Sequence, residues 1–283
     1  MENKFSPAIA LLKREMEIRN YSDCSVRSYC ETMQVFESYA NKTLDKLTSE
    51  DLKQYLHHLV KSKKVSPSYI NQKISAFKIY TEDVLKKEWE PIAIKRPRLP
   101  RELPEILSLE EVKLMIERTQ NIKHRVMIMT MYTAGLRKME LLQLKPKDID
   151  SENGFIIVRQ GKGKKDRRTI LSKQTLEELR YYYKCFRPKV YLFEPNGHPG
   201  KKMSVRTFDK VIHDAAQRAG IKRRVTPHLL RHSFATHLLD KGINLKIIQS
   251  FMGHSSIRTT SIYLHLSNAS LKNIVSPFDD LRL

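Results

Sequence analysis

Six polar side chains in the second half of the 283-residue sequence could together cleave a phosphodiester bond without a metal ion. Two are arginines, which can hold a phosphate, and one is a tyrosine, whose phenol can attack phosphorus. A lysine and two histidines could deliver protons to a leaving oxygen. The six residues are Arg137, Lys162, His228, Arg231, His254 and Tyr263. None is persuasive alone, so the elements that position them must be considered.

The charge of the chain indicates a polyanionic partner. Lys and Arg number 52 against 31 Asp and Glu, which gives a net charge of +21. Nucleic acid is favoured over a membrane, because no long apolar run and no basic amphipathic helix accompanies the charge. The N-terminus lacks the pattern of a secretory signal, and three widely spaced cysteines suit a reducing compartment and form no zinc motif. We therefore expect a cytoplasmic protein.

Residues 1–90 predict a bundle of four amphipathic helices. Apolar residues recur at helical spacing in FSPAIALLKREMEIRNYS, SVRSYCETMQVFESYAN, LTSEDLKQYLHHLVKSK and SPSYINQKISAFKIYTEDVLKK. The first helix should align Ile9, Leu12, Met16 and Arg19 along one stripe. Ser22 or Ser25, Thr48 and Ser66 stand where N-terminal caps are expected.

A basic, proline-rich segment follows, which predicts a linker over residues 91–106. Four prolines between Trp89 and Pro104 favour extended backbone. The segment could be a spacer, or its basic residues could follow a DNA backbone, and the sequence supports both interpretations equally. Those residues are Lys95, Arg96, Arg98 and Arg101.

Residues 107–283 predict a second, mainly helical domain with a small antiparallel sheet. LSLEE is a capped helix start, and HRVMIMTMYTAGL reads as a buried helix that ends at Gly135. GFIIVRQ and DRRTILS alternate as strands do, and the Gly-Lys-Gly between them favours a hairpin. The chain is helical again from Lys173 onward, and residues 266–283 form an amphipathic tail.

Local patterns account for the position of each candidate. Arg137 should begin a helix, with Glu140 on the same face to hold its guanidinium. Lys162 lies at the hairpin tip, where a solvated turn is the more ordinary explanation. The neighbouring Lys164, Lys165, Arg167 and Arg168 would then be phosphate contacts.

The segment HLLRHSFATHLL carries two further candidates. Thr226 and Pro227 mark a helix start, after which His228 and Arg231 share one face. His228 and His232 could be half of a metal site, but no third ligand accompanies them, so no metal is predicted. His254 and Tyr263, taken alone, could equally be a helix-end histidine and a core aromatic.

Together the motifs resemble those of the tyrosine recombinases, the phage integrase family. The segments are TAGLRKMELLQL, GKGKKDR and HLLRHSFATHLLDKGINLKIIQSFMGHSSIRTTSIYLHL. The resemblance extends over essentially the whole chain and is strongest to the compact XerC/XerD and integron-integrase branch. It implies that the helical bundle is a core-binding, SAM-like domain and that the two domains form a C-shaped clamp around DNA.

The resemblance also implies a role for each candidate. Arg137 and Arg231 would clamp the scissile phosphate, and Tyr263 would be the nucleophile that forms a 3′-phosphotyrosyl intermediate. Lys162 would protonate the leaving 5′-oxygen, His228 would assist proton transfer, and His254 would donate a hydrogen bond to the phosphate. Glu140 would support the clamp, and neither a metal nor another cofactor would be needed.

The function that the resemblance implies is strand exchange through a Holliday junction, for integration or excision of a mobile element. It also implies a bacterial, nucleoid-associated protein. The expected partner is double-stranded DNA with an inverted-repeat site, occupied by a homotetramer that is a monomer or weak oligomer when free. The tail would pack on its own domain or dock on a neighbouring protomer. The alternatives are chromosome-dimer resolution of the Xer type, DNA relaxation of the type IB topoisomerase kind, and a DNA-binding protein without catalysis.

Overall fold

The computed structural model describes residues 5–88, 96–97, 105–159, 166–254, 256 and 260–261. The chain divides into two compact units, an N-terminal unit of residues 1–101 and a C-terminal unit of residues 102–283. The division falls inside the proline-rich segment.

The N-terminal unit is helical in every described element. It contains α1 (Pro7–Ile18), α2 (Asp23–Ala40), α3 (Ser49–Lys63) and α4 (Pro67–Ile79), with a 3₁₀ turn at Leu44–Lys46 and a π turn at Tyr80–Val84. The three predicted caps are confirmed. Ser22 and Ser66 accept hydrogen bonds from the first turns of α2 and α4, and Thr48 forms a capping box with Asp51.

The core of this unit forms along the predicted apolar stripes. Ile9, Leu12 and Met16 are fully buried on α1, and the Phe36 ring stacks on Tyr55 at 5.1 Å between centroids. Arg19 does not continue the α1 stripe, contrary to expectation. It follows the end of the helix, and its guanidinium binds Asp83 at 2.6 Å, because a charged head group gains more from a carboxylate than from the core.

The C-terminal unit combines helices with one small sheet, which confirms the predicted fold class. Its helices are α5 (Leu109–Glu117), α6 (Ile122–Ala134), α7 (Lys138–Gln143), α8 (Lys173–Phe186), α9 (Val205–Arg218), α10 (Pro227–Asp240) and α11 (Leu245–Met252). A 3₁₀ turn spans Pro146–Asp148. Its strands are β1 (Ile149–Asp150), β2 (Phe155–Val158) and β3 (Arg167–Ile170).

The sheet is antiparallel with the order β1-β2-β3. The predicted pairing of GFIIVRQ with DRRTILS is confirmed, with Phe155 opposite Ile170 and Val158 opposite Arg167. Strand β1 was not predicted, since two residues are too few to show alternation. No helix among the described residues is long and apolar enough to cross a membrane.

Helix α6 brings its C-terminus close to α10. Val126, Met127, Ile128 and Met131 are fully buried, so the helix runs through the core of this unit. It ends at Gly135, whose φ of +55° is left-handed, and a Cβ there would lie 2.3 Å from Cδ1 of Phe234 on α10. Glycine is therefore required both by the backbone and by the contact. Arg137 follows two residues later, beside α10.

Candidate active site

Arg137 begins α7, and the predicted pair with Glu140 is confirmed. The Arg137 backbone N–H donates to Oε2 of Glu140 at 2.7 Å, and Nη1 donates to Oε1 at 2.8 Å. The same carboxylate thus caps the helix and holds the guanidinium. The other terminal nitrogen, Nη2, donates to the carbonyl of Gly253 at 2.9 Å. The side chain as a whole remains 20% exposed.

Arg231 is more deeply placed, at 5% side-chain exposure on α10. Its Nη1 donates to the carbonyl of Gly135 at 2.5 Å, and its Nη2 donates to the carbonyl of Met252. Those two carbonyls lie at the C-terminal ends of α6 and α11, where the last C=O groups lack helical partners and the helix dipole is negative. The helix ends therefore stabilise a buried cation without neutralising it.

Among the residues that the structure describes, Glu140 is the single carboxylate at the centre of this cluster. Burial alone would raise its pKa, but hydrogen bonds and charge from Arg167, followed by the bonds from Arg137, outweigh burial and lower the pKa to about 2. Arg231 lies near it as well, with Nη1 3.8 Å from Oε2. Three guanidinium groups around one ionised carboxylate leave a net positive charge, which is suited to binding an anion.

The third guanidinium belongs to Arg167, and its location differs from the prediction. Arg167 was expected to be one of several phosphate contacts near the hairpin tip. Instead its side chain is 9% exposed, and its Nη1 and Nη2 donate to Oε1 and Oε2 of Glu140, each at 2.7 Å. The reason is strand alternation, since Arg167 and the fully buried Thr169 point inward while Arg168 between them is exposed.

His254 follows the end of α11 and adjoins Arg231. Gly253 ends that helix in the left-handed region at φ +58°, and His254 Nε2 then lies 3.1 Å from Arg231 Nη2. Arginine can only donate, so Nε2 accepts and Nδ1 carries the proton towards Thr260 Oγ1 at 3.0 Å. Burial, and then the charges of Arg231 and Arg137, lower the pKa of His254 to about 4, so the ring is neutral near pH 7.

His228 lies one turn before Arg231 on α10, as predicted. Thr226 caps the helix by accepting from the N–H of Leu229 at 3.2 Å. His228 is accessible to solvent, yet partial desolvation, and then the charges of Arg231 and Lys138, lower its pKa. A neutral imidazole that borders a cationic cluster can accept a proton and pass it on.

Several predicted residues lie outside the described residues: Lys95, Arg98, Arg101, Lys162, Lys164, Lys165 and Tyr263. Besides Arg167, two predicted DNA contacts are described. Arg168 is exposed on β3, and Arg96 is exposed while it donates to the Asn71 carbonyl at 3.2 Å and to Ser75 Oγ at 3.1 Å. Within the described ranges, no three His, Cys, Asp or Glu side chains gather in a way that could hold a metal ion.

Comparison with known protein families covers both units of the chain. The model of the phage integrase family matches residues 104–270, and that of the phage integrase N-terminal SAM-like domain matches residues 9–91. The chain belongs to the phage integrase family. The matched regions contain the arginine cluster and the helical bundle, respectively.

Individual relatives agree with this assignment. A Sinorhizobium fredii protein named as an integrase/recombinase is 36% identical over 277 residues, which cover 97% of this chain and 89% of that protein. The tyrosine recombinase XerA of Pyrococcus furiosus is 37% identical over 251 residues, or 86% of each chain. This phage integrase family member is thus a tyrosine-type site-specific DNA recombinase, and DNA is its partner.

A solved structure has the same fold. The XerH site-specific recombinase, bound to its palindromic difH substrate in a post-cleavage complex, matches with a TM-score of 0.72 at 24% identity. The match covers 96% of this chain and 85% of that chain. At that identity the likeness concerns the fold alone.

Proposed function

We propose that this recombinase cleaves one DNA strand at a time, with Tyr263 as the nucleophile and Arg137 and Arg231 as the phosphate clamp. The observation that carries the proposal is the arrangement of the two guanidinium groups. Both are fixed by carbonyls at the end of α11, Met252 for Arg231 and Gly253 for Arg137, ten residues or so before Tyr263 along the chain. A preorganised cationic site at this point would stabilise the charge that develops on a pentacoordinate phosphorus.

The chemistry needs no external energy source. The Tyr263 phenolate oxygen attacks phosphorus while the bond to the 5′-oxygen breaks, and Lys162 gives that oxygen a proton. The product is a 3′-phosphotyrosyl bond and a free 5′-hydroxyl. A 5′-hydroxyl from the partner duplex then attacks the same phosphorus and releases Tyr263, so that two such exchanges form and resolve a Holliday junction.

The histidines would assist the same steps. His228 adjoins Arg231 on the solvent side, where a neutral imidazole could take the proton of the attacking phenol. His254 would donate to the phosphate, which requires its Nε2 to carry the proton in the DNA complex. In the DNA-free arrangement that nitrogen accepts from Arg231, so the proposal includes a change of tautomer or ring orientation when phosphate binds.

The biological setting is a further part of the proposal. We assign the enzyme to integration or excision of a mobile element, acting in the bacterial cytoplasm on a site with inverted repeats. Chromosome-dimer resolution would use the same chemistry, and the DNA that flanks the gene separates the two. A footprinting experiment would show which DNA the protein protects. Protection of repeats at the ends of a mobile element supports the first role, whereas protection of a single chromosomal site supports the second.

We further propose that a homotetramer assembles on the DNA through residues 266–283. The tail sequence has apolar residues at Leu271, Ile274, Val275, Phe278 and Leu281. If the tail docks on a neighbour, a chain truncated after Ser267 should bind a half-site normally but lose cooperative binding to the paired site. Preserved cooperativity together with a lowered melting temperature would instead mean that the tail packs on its own domain.

The central test uses a suicide substrate, in which a nick beside the cleavage point lets the released fragment diffuse away. The wild-type chain should accumulate a covalent protein–DNA adduct, and Tyr263→Phe should bind the same DNA with unchanged affinity and form none. A plain DNA-binding protein would form no adduct in either case. A type IB topoisomerase-like enzyme would form the adduct but relax supercoiled DNA that lacks the recombination site.

A further inference from the structure

Arg167 is the one arginine of the cluster to which the proposed chemistry gives no role. It begins strand β3, five residues after Lys162 in the sequence. Its fork holds both oxygens of Glu140, and its Nε donates to the carbonyl of Phe251 at 2.8 Å. Three of the five N–H donors of this guanidinium are therefore engaged inside the protein.

Three consecutive carbonyls at the end of α11 each accept from a different arginine. Phe251 accepts from Arg167, Met252 from Arg231 and Gly253 from Arg137. The position of this helix end therefore sets both members of the phosphate clamp. The hydrogen bond from Arg167 to Phe251 is one of the contacts that join the helix end to strand β3.

The contact between Arg167 and this helix end is close. A Cβ at position 253 would lie 2.7 Å from Cδ and 3.0 Å from Nε of Arg167, and the φ of +58° at Gly253 is strained for other residues. The arginine stem thus packs directly against the turn between α11 and His254. The Arg167 side chain therefore fills part of the space between helix α11 and strand β3.

We propose that Arg167 is a positioning residue that aligns the two arginines of the phosphate clamp, Arg137 and Arg231. It acts through Glu140, which orients Arg137, and through the Phe251 carbonyl, which fixes the end of α11. This inference rests on the proposed strand-cleavage function.

The test is Arg167→Lys in single-turnover cleavage of the suicide substrate at saturating protein. A lysine keeps the charge but cannot bond both oxygens of Glu140 and the Phe251 carbonyl at once. We expect the cleavage rate constant to fall on the order of 10²-fold, the effect of roughly 1 Å of misplacement, with unchanged DNA affinity and salt dependence. The matched control is Arg125→Lys, which removes an arginine from a half-buried pair with Glu178 at 3.0 Å and should cleave normally.

A double-mutant cycle separates positioning from a general loss of stability. If Arg167 acts through the clamp, Arg167→Lys should slow cleavage much less in an Arg137→Lys background than in the wild type, because the clamp is already misaligned. Purely additive effects, or a wild-type rate constant in Arg167→Lys despite a lower melting temperature, would overturn the proposal. Weaker DNA binding by Arg167→Lys, with the slope of log affinity against log salt concentration reduced by about one, would also overturn the proposal. Such a change is the signature of a lost phosphate contact.

Failure of this inference is distinguishable from failure of the proposed function. If the wild type cleaves, Tyr263→Phe does not, and Arg167→Lys cleaves at the wild-type rate, only the positioning role of Arg167 is refuted. A wild-type chain that forms no adduct with DNA that it binds removes the strand-cleavage function and the positioning role with it.

Discussion

Replacing Glu140 by glutamine should destabilise the C-terminal unit by an amount that its pKa defines. Glutamine has the shape of the protonated acid, so the cost of Glu140→Gln approximates the cost of neutralising Glu140 in place. The shift from 4.5 to about 2 corresponds to about 3 kcal/mol at neutral pH. The removal of one partner from a buried ion pair typically costs about 3–5 kcal/mol, which agrees with this value.

The sign of the pH dependence follows from the direction of the shift. The folded-state pKa of Glu140 is lower than the unfolded value, so its stabilisation is fully present above about pH 4.5 and is lost as the pH falls towards 2. The difference in stability between wild type and Glu140→Gln should therefore be constant from pH 8 to pH 5. It should shrink progressively below pH 4.5.

Calorimetric unfolding of the full-length chain measures this effect. About 3 kcal/mol should lower the melting temperature of the C-terminal unit by about 6–12 °C, since roughly 2–4 °C corresponds to 1 kcal/mol at this size. Glu110→Gln is the control, because the Glu110 side chain is 66% exposed and its ion pair with Lys113 Nζ is long at 4.0 Å and therefore weak. A shift for Glu140→Gln no larger than that of Glu110→Gln would refute the view that one carboxylate holds the arginine cluster together.

Three further predictions concern cleavage itself. Arg137→Lys should lower the single-turnover cleavage rate constant on the order of 10²–10³-fold, because an ammonium cannot bond Glu140, the Gly253 carbonyl and a phosphate in one plane. An unchanged rate constant would contradict the clamp. Lys162→Ala should cleave slowly but recover on a substrate with sulfur in place of the leaving 5′-oxygen, since sulfur leaves without a proton; no recovery would return Lys162 to a solvated turn. Wild-type cleavage should be unaffected by EDTA, whereas a loss restored by Mg²⁺ would indicate a metal-dependent nuclease.

Much of the local structure was predictable because its causes are local. Caps such as Thr48 and Ser108 mark helix starts, and Gly135 ends α6 where only a left-handed residue fits. The Arg137–Glu140 pair follows from a three-residue spacing at a helix start. All of these depend on residues within one or two turns of each other.

The contacts of Arg167 were not predicted because they join segments far apart in sequence. In GKGKKDRR a basic run suggests a solvated surface, and the sequence does not show that Glu140 and the Phe251 carbonyl lie opposite. The period of two in β3 was the available signal, since it places Arg167 on the same side as the buried Thr169. The carbonyls that hold Arg231 have no sequence signature, because every residue has one.

The most direct test of the account is to identify the residue that becomes bonded to DNA. The adduct trapped on a suicide substrate is digested with nuclease and trypsin, and the nucleotide-bearing peptide is sequenced by mass spectrometry. Cleavage after Arg258 and Lys272 yields the peptide TTSIYLHLSNASLK, in which Tyr263 is the single tyrosine. We predict a nucleotide 3′-phosphate on Tyr263. A nucleotide on a serine or threonine of that peptide, or on any other peptide, would contradict the account.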